Sequence, residues 1–109
     1  MRITLSPQRR NDNIKIIKNG DMLTINGFDF DFSPLPDGAS LPAEAVDIHW
    51  FCGDIERING ELVVTLLLPL PANYSPEQAF PADLIDVPDG PVALPQPLPA
   101  TDITEAFAA

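Results

Sequence analysis

One cysteine, one histidine, one tryptophan and one tyrosine in 109 residues leave this chain poor in the groups on which most catalysis and metal binding depend. Cys52 alone makes no internal disulfide, so a reducing compartment is expected. No basic-then-apolar leader precedes Ile3, and secretion by a signal peptide is not expected. The longest apolar run, Leu62-Val63-Val64 resuming at Leu66-Leu67-Leu68, falls far short of the about 20 residues that a membrane-spanning helix needs. Basic residues are scarce too. Five of the six lie in the first 18 positions, and residues 19–109 set fifteen acids against Arg57 alone, for a net charge of −10. Such a body repels a phosphate backbone, because nucleic-acid binding depends on a basic surface that displaces counterions. Neither nucleic acid nor membrane is an expected partner. The Arg9-Arg10 pair either docks on an acidic partner or folds back on the acidic body, and folding back is the simpler outcome.

What the chain has is turns. Five of six glycines follow Asn or Asp, at Asn19-Gly20, Asn26-Gly27, Asp37-Gly38, Asn59-Gly60 and Asp89-Gly90. Asx-Gly pairs adopt the positive φ angles of the two-residue turns that join antiparallel strands. A turn at Asn19-Gly20 sets Ile16 opposite Leu23 and Ile14 opposite Ile25; one at Asn26-Gly27 sets Phe28 opposite Ile25 and Phe30 opposite Leu23. One face of the resulting three-stranded meander collects Ile14, Ile16, Leu23, Ile25, Phe28 and Phe30, and the reverse face shows Lys15, Thr24, Asp29 and Asp31.

Residues 33–45 form a connection, broken by Pro34, Pro36 and Pro42, with at most one helical turn over residues 43–45. A second hairpin over about residues 46–68 turns at Asn59-Gly60, with Ile58 opposite Glu61, Arg57 opposite Leu62 and Ile55 opposite Val64. Leu62, Val64, Leu66 and Leu68 then share the face of Ile55, whereas Ile48, Trp50 and Cys52 fall on the other parity. A one-residue β-bulge at Gly53-Asp54 reconciles the two sets, burying Trp50 and Cys52 and turning Phe51 outward. With Leu67 on the far side of its strand, Phe51 marks a second apolar face to be covered by the C-terminal half or by another subunit.

Nine of thirteen prolines lie from Pro69 onward. Ser75-Pro76-Glu77-Gln78 has the cap, first-turn proline and N3 glutamine of a helix start. Residues 84–87 and 92–94 are candidates to pair with each other, Pro95, Pro97 and Pro99 imply polyproline II, and residues 102–107 carry a weak capping pair with an apolar side of Ile103, Ala106 and Phe107. The expected fold is all-β: a small antiparallel sandwich or open barrel over residues 1–95, a meander packed on a bulged long hairpin with Pro-rich wrapping, and a tail at 96–109.

No catalytic constellation stands out. His49 and Cys52, three apart on one strand, point to opposite faces, so His49 reads as an outward strand residue and Cys52 as a buried structural thiol. Asp29 and Asp31 lack the further oxygens and the wrapping loop of a cation site and read as a solvated face. No cofactor or metal is expected. Arg9, Arg10, Phe51, Leu67, Tyr74 and Phe107 are the candidate interaction residues, and Trp50, Phe51 and Tyr74 form the aromatic set of a sugar- or small-ligand-binding alternative.

Ile3-Thr4-Leu5-Ser6-Pro7, Asp31-Phe32-Ser33-Pro34-Leu35-Pro36-Asp37-Gly38-Ala39, Trp50 with Gly53, Leu66-Leu67-Leu68-Pro69, Phe80-Pro81-Ala82 and Asp89-Gly90-Pro91-Val92-Ala93-Leu94-Pro95 carry a resemblance. On these segments the chain resembles a group of small tailed-bacteriophage and prophage proteins encoded near the tail genes. The resemblance implies a tail-region context, in the virion or the bacterial host cytoplasm, with tail or assembly proteins as partners and non-enzymatic protein–protein contact as the mode of action. It supplies no catalytic residue.

Overall fold

A computed structural model describes residues 1–46 and 49–98. Ile48, Pro99 and the 102–107 segment with Phe107 lie outside the described residues. The chain forms β1 (Arg2–Arg9), β2 (Ile16–Asn19), β3 (Met22–Ile25), β4 (Phe28–Asp31), β5 (Ser40–Leu41), β6 (Ile55–Ile58), β7 (Glu61–Leu70) and β8 (Gly90–Pro91), with one 3-10 turn at Ala43–Ala45 and one short helix, α1 (Pro76–Ala79). Two four-stranded sheets, ordered β1-β7-β6-β5 and β4-β3-β2-β8, share one hydrophobic core.

The meander is present, with a different first turn. Asn19 pairs with Met22 and Ile16 with Ile25, so the two-residue loop is Gly20-Asp21 rather than Asn19-Gly20. Of these two loop residues only Gly20 has positive φ (60°), the pattern of a type II′ turn with glycine first. Asp89 holds this turn, its Oδ1 accepting from Gly20 N–H at 3.0 Å and from Lys18 Nζ at 2.7 Å. The pairing moves by two residues, an even step, so the faces survive and Ile14, Ile16, Leu23 and Ile25 are buried. At the second turn both Asn26 (49°) and Gly27 (86°) have positive φ, and Phe28 opposes Ile25 and Phe30 opposes Leu23 as expected. Phe28 nevertheless is not core: it is 70% exposed. It stands at the turn end of an outer strand, where facing the core side does not bring cover.

The second hairpin turns at Asn59-Gly60 with Ile58 opposite Glu61 and Arg57 opposite Leu62. The excursion at Gly53-Asp54 is longer than a one-residue bulge. Phe51 bridges Leu66 and Glu56 pairs with Val63, so five steps on one strand match three on the other, and the excursion around Gly53-Asp54 holds two extra residues. Two extra residues preserve parity. Phe51 therefore joins Ile55 and Leu66 inside, 1% exposed, while Cys52 is exposed instead of buried. Phe51 meets Phe30 and Phe32 edge-on at 5.2 and 5.7 Å, which ties the two sheets together. Trp50 is also buried, on the other face; Leu67 N–H donates to its carbonyl at 2.9 Å, and Leu67 is itself buried rather than forming an open apolar face.

Two features were not anticipated. β1 runs parallel to β7 through eight registered pairs from Arg2–Val63 to Arg9–Leu70, placing Ile3 and Leu5 in the core. Residues 84–94 do not pair with each other. Leu84 exchanges backbone hydrogen bonds with Ile3 at 2.8 and 2.9 Å, and Gly90–Pro91 adds to β2, so this stretch covers an outer edge of each sheet. The α1 start matches expectation: Ser75 and Gln78 form a reciprocal capping box with Pro76 in the first turn.

Arg57 faces inward beside Leu62, only 12% of its side chain exposed. Its Nε donates to the Leu35 carbonyl (2.6 Å) and its Nη2 to the Phe32 carbonyl (2.9 Å) and Asp21 Oδ2 (3.1 Å). Arg57→Met keeps the apolar stem and strands these acceptors, so urea unfolding should show a loss of about 3 kcal/mol. A loss below about 0.5 kcal/mol, the range of an ordinary surface change, contradicts this account.

Lys18, then the Gly20 N–H, hold the Asp89 carboxyl below its ordinary value of 3.8, and the Ser33 N–H does the same for Asp31. A depressed acid contributes stability that is complete above 3.8 and fades as pH falls through the folded-state value. Acid titration of Asp89→Asn should therefore show a shallower loss of stability below pH 3.8 than the parent protein. Identical acid limbs would contradict the assignment.

Candidate functional site

The Asn26-Gly27 turn throws Phe28 to the start of β4, and the burial of Phe51 fixes the chain just before it, so His49 and Trp50 face Phe28 across a cleft of about 550 Å³. Phe28, Phe30 and Trp50 supply its apolar surface; Asn26, Asp29 and His49 supply its polar groups. Asp29 is steadied by its cross-strand partner, accepting from Thr24 Oγ1 at 2.6 Å. The His49 ring stands edge-on to Trp50 at 4.8 Å, and the Arg10 guanidinium lies 5.8 Å from the Trp50 ring centre, a cation–π distance. Arg10 Nη2 donates to Asp12 Oδ2 at 2.6 Å and sits 3.3 Å from His49 Nε2.

Cys52 is exposed and does not line the cleft. Among the described residues no three His, Cys, Asp or Glu side chains gather as metal ligands. The groups with shifted ionisation are structural: a hydrogen bond and the charge of Asp83 raise Arg2, and Asp31 and Asp89 close turns. None of them lines the cleft.

The sequence candidates are scattered. Arg9 and Arg10 both fold back on the body, Arg9 Nη1 donating to the Leu70 carbonyl (3.1 Å) and to Asn11 Oδ1 (3.0 Å) and Arg10 pairing with Asp12. Phe51 and Leu67 are interior and offer no contact surface. Tyr74 is exposed but outside the cleft, so Trp50, Phe51 and Tyr74 are not one platform; Phe107 lies outside the described residues. Asp29 and Asp31 are solvated, as expected, and His49 is exposed, in a turn rather than a strand. Sequence reading missed Phe28 as a surface group. The available signal was its place as the first residue after a tight turn, followed by alternating aspartates.

Among the described residues no helix is long and apolar enough to cross a membrane. Compared with protein-family models, with curated proteins and with solved structures, the chain finds no match.

Proposed function

We propose that this chain is a non-enzymatic module that works through protein–protein contact, a tail or assembly accessory of a phage or prophage, as its sequence resemblance implies, acting in the host cytoplasm or the virion. A two-sheet sandwich serves here as a rigid frame for contact groups. The observation that carries the reading is the outward display of large apolar side chains away from any reactive cluster. Phe28 and Phe80 are 70% and 87% exposed, and Tyr74 and Ile85 are exposed as well. Phe28 adjoins the outer strand β4, whose Asp29 and Asp31 suit a basic partner strand. Affinity purification from phage-producing cells, with partners identified by mass spectrometry, should recover a tail or assembly protein with the parent chain and lose it with Phe28→Asp. Recovery of the same proteins by both, or of no phage protein, overturns the proposal.

The aromatic cleft supports a second reading, a carbohydrate- or small-ligand-binding module, since Phe28 and Trp50 offer ring surface beside the Asp29 and Asn26 acceptors. Trp50 is the chain's single tryptophan, so its fluorescence reports this cleft alone. Under this reading a saturable change in Trp50 emission appears with a sugar on titration through a glycan panel and disappears in Phe28→Ala. An unresponsive indole rejects it.

A further inference from the structure

A second cleft, of about 270 Å³, opens where the end of β7 meets the C-terminal segment, with Ile14, Leu68, Leu94 and Pro95 among its walls. Two polar groups in it lack protein partners. Gln78 is 5% exposed, and its Oε1 accepts from the Ser75 N–H at 3.1 Å. A backbone N–H is met only by the amide oxygen, so the orientation of the amide is fixed and Nε2 is left with two donor hydrogens and no acceptor among the described residues. Two carbonyls of the same cleft each accept one bond from elsewhere: Gln96 from Ser75 Oγ at 2.6 Å and Leu94 from Gln96 Nε2 at 3.0 Å. The second group is Lys15, whose ammonium makes no ion pair or hydrogen bond among the described residues. In a chain with sixteen acids, Arg2, Arg10, Lys18 and Arg57 each hold a carboxylate. Lys15 does not.

We infer that this cleft binds a small apolar monocarboxylate, its carboxylate held between Gln78 Nε2 and the Lys15 ammonium and its hydrocarbon body against Ile14, Leu68 and Leu94. Gln78 Nε2 opens on the cleft with no protein acceptor, so a ligand oxygen takes the place of water there, and the exposed Lys15 ammonium on the same cleft makes the preferred acceptor an anion. A cleft lined by one cation, Lys15, in a chain of charge −10 favours a single negative charge over a phosphate dianion. The cleft is smaller than the about 300–1,000 Å³ that drug-sized ligands occupy, which restricts the body to a short acyl chain or one apolar residue. The carboxylate has two sources, a free acid or the C-terminal residue of a polypeptide.

The test follows the Gln78 side-chain NH₂ resonances of the 15N-labelled full chain during titration with sodium hexanoate, with N-acetyl-Ala-Ala-Leu bearing a free C-terminus, and with its C-terminal amide. A saturable shift with either acid, at least about tenfold weaker with the amide, supports the site. Hexanoate alone identifies a free acid as the source, and the peptide alone identifies a polypeptide terminus. Gln78→Glu keeps the oxygen that caps Ser75 and replaces the donor by a carboxylate, so the rest of the spectrum should persist while binding, followed by backbone amides around the cleft, is lost. Lys15→Met should weaken binding by about tenfold, the usual worth of a charge-assisted contact. No shift with either acid up to about 50 mM, equal binding of acid and amide, or undiminished binding by Gln78→Glu overturns the inference.

Discussion

The arrangement of the two sheets depends on a buried guanidinium. Arg57 is the only cation in a body of fifteen acids, yet it is placed inside, against the usual preference of arginine for the surface. A charge held away from water needs a counter-charge and hydrogen-bond acceptors, and Arg57 finds them by donating from Nε and Nη2 to three separate places: the β2–β3 turn at Asp21, the end of the meander at Phe32, and the connection at Leu35. The planar fork can satisfy these only when hairpin, meander and connection stand at one distance and angle. Apolar contacts tolerate sliding; this set of hydrogen bonds does not. The Phe51 ring then falls between Phe30 and Phe32, completing the contact between sheets.

Much of this was legible wherever a local turn determines a register. Asn26-Gly27 and Asn59-Gly60 specified the cross-strand partners of Phe28, Phe30, Arg57 and Ile58 because positive φ at both loop residues leaves one way to reverse the chain. The Ser75–Gln78 capping box was readable for the same reason: all its partners lie within four residues. Pairing Arg57 with Leu62 already placed it on the inward face, although its acceptors, from 22 to 36 residues away, left no local sign. The reading failed where the deciding contact is remote. Asp89 selects Gly20-Asp21 over Asn19-Gly20 from about 70 residues away. The parity argument around Gly53-Asp54 failed differently, since alternation distinguishes odd from even insertions and says nothing of their length. Trp50 and Phe51 are both buried, beside the end of β7 that is itself covered on both faces, a case in which alternation carries no information. That is why Phe51 was placed outside and Cys52 inside.

The proline-rich C-terminal half has a physical role in these sheets. Leu84 closes on β1, and Gly90–Pro91 closes on β2, while β5 and β8 at the other margins are two residues long. β4 is left as an open margin of its sheet, and it carries Asp29 and Asp31. Two such margins repel each other, which disfavours self-association through β4 and leaves it open to a strand of opposite charge. The same aspartates that guard against aggregation thus bias the choice of partner.

Hydrogen-bond satisfaction separates the two clefts more sharply than size does. In the larger, the polar groups already answer one another: Asp29 has Thr24, and Arg10 has Asp12 and the Trp50 ring, so a ligand there gains mainly by covering aromatic surface. In the smaller, the capping box commits Gln78 Oε1 to Ser75 and leaves Nε2 without an acceptor among the described residues. The helix start is thus also what orients the donor. A folding device that uses one end of an amide leaves the other end aimed, and its fixed direction lets a cleft of modest volume discriminate a carboxylate from its neutral amide.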